Sequence, residues 1–153
     1  MVRSKAALKV ALFEQLERDL AAARTAHQAA VEGATHDEAR AENDKDTRGL
    51  EQSYLARGHA QRVAELETAL VVVAAWQPRR FADEPVTIGA IVDVTEAGRR
   101  KTFLLAAHGG GLVLPGDVTV VTPTSPIGRA LLGRVLEDDC EIGKRTLTIT
   151  AIE

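Results

Sequence analysis

The chain has 153 residues, of which 45% are apolar and only 3% aromatic, and its formal net charge is −3. This length allows one ordinary domain or two small ones, and the scarcity of aromatic side chains favours a long helical part beside a modest β part. The nearly balanced charge argues against nucleic-acid binding driven by clustered basic residues.

The single cysteine, Cys140, excludes an intramolecular disulfide and a cysteine-rich zinc site, and is expected to be a small buried residue. No apolar run has the length of a membrane span and no apolar signal segment is present, so we expect a soluble, cytoplasmic protein.

The N-terminal half has the apolar periodicity of two amphipathic helices. In each, apolar residues recur at spacings of three and four, which is the repeat of one helix face. The first series comprises Leu8, Leu12, Leu16, Leu20 and Ala23, and the second comprises Leu50, Tyr54, Val63, Leu66, Leu70 and Val73. We predict a first helix that continues through Gly33 to about Ala41, and a second from Arg48 to Trp76. Neither helix can bury its apolar stripe alone, so the two are expected to pack as an antiparallel hairpin with its turn at 42–47.

After Pro85 the apolar residues alternate with polar or small ones, which is the period of β-strands. The alternation predicts strands at the segments 88–94, 102–107, 118–121 and 147–151, with a turn at 96–100. The polar segment Gln77–Glu84 is the expected linker. The predicted fold class is therefore α+β: an antiparallel coiled-coil hairpin at 1–77, a linker at 78–84, and a small antiparallel sheet domain with one short helix at 85–153.

The segment Pro123–Gly133, with the sequence PTSPIGRALLG, carries the signals of that short helix. Ser125 can cap a helix through its hydroxyl, and Pro126 fits the first helical position. Gly133 can end the helix in a left-handed conformation. The pattern predicts a two-turn helix that follows a strand directly. Its apolar residues, Ile127, Leu131 and Leu132, are expected to pack against the sheet.

The same segment resembles the signature of the Gre transcript-cleavage factor family (GreA/GreB-like). A long helical hairpin followed by a small sheet with this helix is also similar to the whole Gre architecture, whose C-terminal domain is FKBP-like. The resemblance covers nearly the full chain. It implies a transcription elongation factor that binds bacterial-type RNA polymerase at the rim of its secondary channel, while the coiled coil enters the channel. The implied docking surface is Pro123, Thr124, Ser125 and Pro126, and the factor would be a monomer and not a free-standing enzyme.

The family carries two acidic residues at the tip of the hairpin, where this chain has AENDKDTRGL. When this chain is aligned with the family pattern, starting from the second helix and going backward, Glu42 falls at the first acidic position. Lys45 falls at the second, and Asp44 and Asp46 flank it. The resemblance implies that Glu42, Asp44 and Asp46 help to hold a Mg²⁺ ion shared with the polymerase active centre, and so stimulate hydrolysis of backtracked RNA. One carboxylate would ligate the metal while another orients or deprotonates the attacking water. The RNA 3′ end would be met only within the polymerase complex.

Other interpretations stay open at this point. A Gre-fold inhibitor would occupy the polymerase channel without stimulating cleavage. A structural coiled-coil protein would use the hairpin to self-associate or to bind another helical partner, and its acidic turn would simply reverse the chain, with Asp44 or Asp46 capping the second helix. A free-standing prolyl isomerase is disfavoured because residues 82–153 contain Phe103 as their only aromatic residue. The basic run Arg99, Arg100 and Lys101 is expected to be a solvated hairpin turn, or less often a contact for nucleic acid or for an acidic partner surface.

Overall fold

The computed structural model describes residues 4–40 and 48–153. Its elements, in chain order, are α1 (Lys5–Arg40), α2 (Arg48–Ala75), β1 (Ile91–Glu96), β2 (Arg99–Leu105), β3 (Val113–Leu114), β4 (Val118–Val121), α3 (Pro126–Leu131), β5 (Asp139–Ile142) and β6 (Arg145–Ile152). The predicted class is confirmed, because an N-terminal helical hairpin precedes a sheet that carries one short helix. None of the helices in the described ranges is long and apolar enough to cross a membrane.

The chain divides into two compact units. One is Glu14–Val71, and the other combines Val72–Glu153 with the described residues up to Phe13. The first unit is purely helical, and the second contains the sheet together with the start of α1 and the end of α2. The domain limits inferred from the sequence, at 77/78 and 84/85, stay a prediction.

Within the helical unit, α1 and α2 run antiparallel. Arg24 Nη2 lies 3.2 Å from Glu67 Oε1, and His27 Nδ1 lies 3.1 Å from the carbonyl oxygen of Ala56. Helix α1 passes through Gly33 without interruption, as predicted. The buried residues of this unit include Leu16, Leu20, Ala23, Ala30, Ala34, Leu66 and Ala69. The expected burial of the apolar stripe is therefore confirmed for the part near Leu66.

The prediction that the apolar residues of the second helix are buried is wrong for Leu50 and Tyr54, which are 57% and 60% exposed. The buried residues in that part of the hairpin are small, namely Ala30, Ala34 and Gly49. Small residues let two helices approach closely. The larger apolar side chains at the start of α2 consequently lie outside the helix contact.

The sheet has the strand order β3-β4-β2-β1-β6-β5. Strands β2 and β4 pair in parallel, whereas β1 pairs antiparallel with both β2 and β6, and the edge strands β3 and β5 also pair antiparallel. One face packs against α3 and forms the core of the domain. Its buried members include Val92, Val94, Phe103, Leu105, Leu131, Cys140, Leu147 and Ile149. The burial of Cys140 confirms the expectation for the single cysteine.

Four details differ from the sequence-based expectations. The sheet was expected to be antiparallel, but it is mixed: β2 and β4 pair in parallel, because the chain between Leu105 and Val118 returns to the end of the sheet where β2 begins. Strand β1 begins at Ile91, and Ile88 lies in a turn with 47% of its surface exposed. Strands β3 and β5 were not predicted, because two and four residues are too short to display an alternation. Leu132 was expected to pack on the sheet but is exposed, since the helix ends at Leu131 and the chain turns away.

Candidate functional site

The predicted docking segment forms the entry to α3. The carbonyl oxygen of Thr122 accepts hydrogen bonds from the Ser125 amide, at 3.1 Å, and from the Ser125 hydroxyl, at 2.8 Å. The Ser125 hydroxyl oxygen in turn accepts from the amide of Gly128 at 3.0 Å. Ser125 is thus the N-cap of α3 and Pro126 its first residue, as the sequence predicted.

Gly128 is required by packing in this turn. It is buried, and a Cβ atom at this position would lie 1.7 Å from the Thr122 carbonyl oxygen. The end of the helix is held as well, because Gly133 has a φ of 80° and donates its amide to the Val86 carbonyl at 2.8 Å. The Val86 amide donates to the carbonyl of Arg134 at 2.8 Å. These bonds fix the segment at both ends.

The four predicted docking residues are close together but differ in exposure. Thr124 and Pro126 are exposed, whereas Pro123 and Ser125 are half-buried. The hydroxyl of Thr124 lies 3.3 Å from that of Thr122, and the hydroxyl of Ser125 is committed to the cap. The surface that this loop offers to a partner therefore consists mainly of Thr124 and Pro126.

A groove of about 620 Å³ opens beside α3, between Ile127 and the turn end of the sheet. At its rim, Lys101 Nζ lies 2.7 Å from Glu96 Oε1, and Arg145 donates through Nε and Nη2 to the two carboxylate oxygens at 2.5 and 2.9 Å. The hydrogen bonds from Arg145 and, to a smaller extent, from Lys101 lower the pKa of Glu96 to about 2. The sequence indicates the basic run at 99–101, which includes Lys101. It gives no signal for Arg145, because only the β1–β6 pairing brings this residue next to Glu96.

Arg100 serves a different purpose from its neighbour Lys101. Its Nη2 atom donates to the buried carboxylate of Asp93 at 2.7 Å, and the Thr102 hydroxyl donates to the same carboxylate at 2.6 Å. Asp93 lies opposite Thr102 in the β1–β2 pairing. A charge buried in a sheet is costly unless it is paired and hydrogen-bonded, so Arg100 acts mainly in the fold.

Two lysines of α1 bind backbone carbonyls at the end of α2 and in the chain that follows it, including the predicted linker. Lys5 is only 8% exposed, and its ammonium donates to the carbonyls of Arg79 and Gly89 at 2.7 and 2.9 Å. It also lies 4.2 Å from the ring centroid of Phe81. Lys9 donates to the carbonyls of Ala74 and Trp76 at the end of α2, where a cation also suits the helix dipole.

Burial, with a smaller contribution from Arg79, lowers the pKa of Lys5 to about 8. The guanidinium of Arg79 is 4.3 Å from the Phe81 ring centroid and forms two hydrogen bonds to Glu84. The spacing of Lys5 and Lys9 by four residues was the one available signal for these contacts. It is too common on helices to indicate a specific partner.

The predicted catalytic and metal-binding residues Glu42, Asp44 and Asp46 lie outside the described residues. Within residues 4–40 and 48–153, no group of three or more His, Cys, Asp or Glu side chains could hold a metal ion. The assignment of Mg²⁺ to the acidic turn therefore remains a prediction.

No protein-family model matches the chain, and no curated protein sequence matches it significantly. Solved structures do. The GreA factor homolog 1 (Gfh1) of Thermus thermophilus is 22% identical, with a TM-score of 0.41, over 92% of this chain and 94% of that chain. A second structure, of the transcription factor Gfh1, is 21% identical with a TM-score of 0.41, and that of Thermus aquaticus Gfh1 is 21% identical with a TM-score of 0.39. Each of these two matches covers 94% of both chains.

Proposed function

We propose that this protein is a transcription elongation factor that binds RNA polymerase at its secondary channel. The observation that carries the proposal is the segment Pro123–Gly133, whose residues resemble the Gre signature and form a capped helix with Thr124 and Pro126 exposed. The antiparallel pairing of α1 and α2 supports the proposal, because the Gre architecture needs a helical hairpin for the channel. The factor would act in the cytoplasm as a monomer.

The acidic turn between α1 and α2 would act in the polymerase active centre. Its carboxylates would help to hold a Mg²⁺ ion, which, when bound, would supply Lewis-acid chemistry for phosphodiester hydrolysis. In this proposal Glu42, together with Asp44 or Asp46, helps to hold that ion. The remaining carboxylate orients the attacking water or accepts its proton. The protein would have no hydrolytic activity by itself, since the other metal ligands belong to the polymerase.

The test is a transcript-cleavage assay on a stalled, backtracked elongation complex. The native protein should shorten the RNA, and the variant Glu42→Ala/Asp44→Ala/Asp46→Ala should not. Both proteins should bind the polymerase, because the docking surface is unchanged. Cleavage by the triple variant at the native rate would contradict the carboxylate mechanism. Absence of polymerase binding by the native protein would contradict the whole proposal.

A matched control separates the position of the charges from their number. The variant Glu14→Ala/Glu17→Ala/Glu65→Ala also loses three carboxylates, and all three residues are exposed on the shafts of the helices. It should stimulate cleavage like the native protein. An equal loss in both triple variants would mean that overall charge, and not the acidic turn, governs the effect.

A second candidate function is inhibition of the polymerase by occupation of its channel. It is favoured by Lys45, which stands in the sequence at the second acidic position of the family pattern. A lysine there places a positive charge where the cleavage mechanism uses a negative one. In the same assay an inhibitor would produce no shortened RNA, would slow nucleotide addition, and would compete with an authentic Gre factor for the polymerase.

A further inference from the structure

The groove beside α3 lies where the apolar core face of the sheet ends and a charged cluster begins. Alternate residues of a strand point to the same face. Lys101 therefore continues the row of Phe103, and Arg145 continues the row of Leu147, both of which belong to the core. Glu96 lies between these two cations. The result is a polar rim placed directly beside an apolar floor.

Glu96 orients the two cations of this rim, but both cations keep hydrogen-bond donors for another ligand. Glu96 is a single carboxylate that serves two cations, so the cluster carries one positive charge in excess. The side chains of Lys101 and Arg145 remain 44% and 45% exposed, whereas that of Glu96 is 14% exposed. An ammonium has three donors and a guanidinium five, so both groups keep donors after binding Glu96. A second carboxylate could bind between them.

The floor and walls of the groove suit an apolar side chain next to such a carboxylate. Phe103 and Ile127 line the groove, and Thr119, which lies opposite Phe103 in the β2–β4 pairing, adds a hydroxyl. Ile127 follows directly on Pro126 of the proposed docking loop. The groove is thus continuous with the surface that the proposed function assigns to polymerase binding.

The charge of the groove disfavours a nucleic-acid backbone. Asp117 also lines the groove and is exposed, so the charges of Lys101, Arg145, Glu96 and Asp117 cancel and a run of phosphates would meet no net positive charge. The excess of one positive charge is local to Lys101, Arg145 and Glu96 and matches one carboxylate held between the two cations, whereas counterion release from a phosphate backbone needs several unpaired cations.

We propose that this groove binds an acidic peptide segment of RNA polymerase, with a carboxylate between Lys101 and Arg145 and a neighbouring apolar side chain against Phe103 and Ile127. This inference rests on the proposed function and adds the chemical class of the partner segment. It extends the docking surface from the loop at Thr124 and Pro126 to the turn end of the sheet.

The test compares two double variants that lose the same charge. Lys101→Gln/Arg145→Gln changes the groove, and glutamine can still donate a hydrogen bond to Glu96. Arg99→Gln/Lys144→Gln changes the same two hairpins at exposed residues that do not line the groove. Binding of each labelled protein to core RNA polymerase is measured by fluorescence anisotropy, and thermal unfolding confirms that each variant is folded.

The groove variant is expected to bind the polymerase roughly tenfold more weakly, as the loss of charge-assisted hydrogen bonds predicts, and the control variant less than about twofold. A third variant, Lys101→Arg/Arg145→Lys, keeps both charges and should bind within about threefold of the native protein. Equal affinities of the groove and control variants, with tight native binding, would overturn the groove assignment and leave the proposed function standing.

Two further outcomes have distinct meanings. If the native protein does not bind polymerase, the proposed function fails and the groove assignment fails with it. A single-stranded RNA oligonucleotide is used as a second probe in the same measurement. If the native protein binds this RNA and the groove variant alone loses it, the groove is a nucleic-acid site and the assignment to an acidic peptide is overturned.

Discussion

Gly128 packs against the carbonyl group of Thr122, so closely that a Cβ atom on residue 128 would lie 1.7 Å from the carbonyl oxygen. The same oxygen accepts two hydrogen bonds from Ser125, so it cannot move away without breaking the cap. We therefore expect Gly128→Ala to destabilise the protein by about 2–3 kcal/mol or more, because the backbone must shift to relieve the overlap. Chemical denaturation monitored by circular dichroism measures this change.

Gly58 provides the matched control for that substitution. It lies within α2, and no atom lies within 4 Å of the position that its Cβ would occupy. Gly58→Ala should stabilise the protein by roughly 0.5–1 kcal/mol, because alanine loses less backbone entropy in a helix. Opposite signs for the two alanine variants support the packing argument, whereas a harmless Gly128→Ala would show that the turn can rearrange.

The buried ammonium of Lys5 predicts a change of stability with alkaline pH. The pKa of Lys5 is about 8 in the folded protein and about 10.5 in its ordinary, exposed state. Between these values the unfolded chain binds more protons than the folded one, so the free energy of unfolding rises with pH through this window. Below pH 8 the cost of burying the charge is fully present, and it is relieved as the pH rises.

Lys5→Met serves as the reference for this effect. At pH 7 it should be about 1 kcal/mol less stable than the native protein, because two backbone carbonyls lose their donor while the cost of burying a charge disappears. Its difference from the native protein should grow between pH 8 and 10. Parallel stability curves for the native protein and Lys5→Met would rule out the assigned shift.

Local patterns were sufficient to predict the hairpin and α3. Helix periodicity extends over many turns in α1 and α2, and Ser125, Pro126 and Gly133 act within one short segment. The contacts of Lys5 could not be predicted, because its acceptors are backbone carbonyls 74 and 84 residues away and any residue type could supply them. The groove was missed for a related reason, since Arg145 meets Glu96 only through strand pairing across 49 residues.

Substitutions at Leu66 and Tyr54 test which part of the contact between α1 and α2 stabilises the hairpin. Both belong to the periodic apolar series of α2, but Leu66 is 2% exposed and Tyr54 is 60% exposed. Leu66→Ala should destabilise the protein by about 2–4 kcal/mol, through lost burial and the cavity that remains. Tyr54→Ser should change stability by less than about 0.5 kcal/mol, as is usual at the surface. Equal losses, measured by urea denaturation, would mean that Tyr54 is buried in solution.

The lowered pKa of Glu96 predicts that the protein loses stability at acid pH. Hydrogen bonds from Arg145 and Lys101 lower its pKa to about 2 in the folded protein, below the ordinary value of 4.5. The unfolded chain therefore binds the proton first as the pH falls. The stabilisation from this carboxylate is fully present above pH 4.5 and is lost as the pH decreases towards 2.

Glu96→Gln removes this titration while keeping the shape of the side chain. The native protein should have the higher melting temperature at pH 6, and the difference between the two proteins should shrink steadily below pH 4.5. Because Glu96 holds both cations of the groove, salt should reduce the difference at pH 6 as well. A melting-temperature difference that stays constant from pH 6 to pH 2.5 would show that Arg145 and Lys101 do not stabilise the ionised carboxylate. The orientation of these cations, on which the proposed binding of an acidic peptide depends, would then have to come from other contacts.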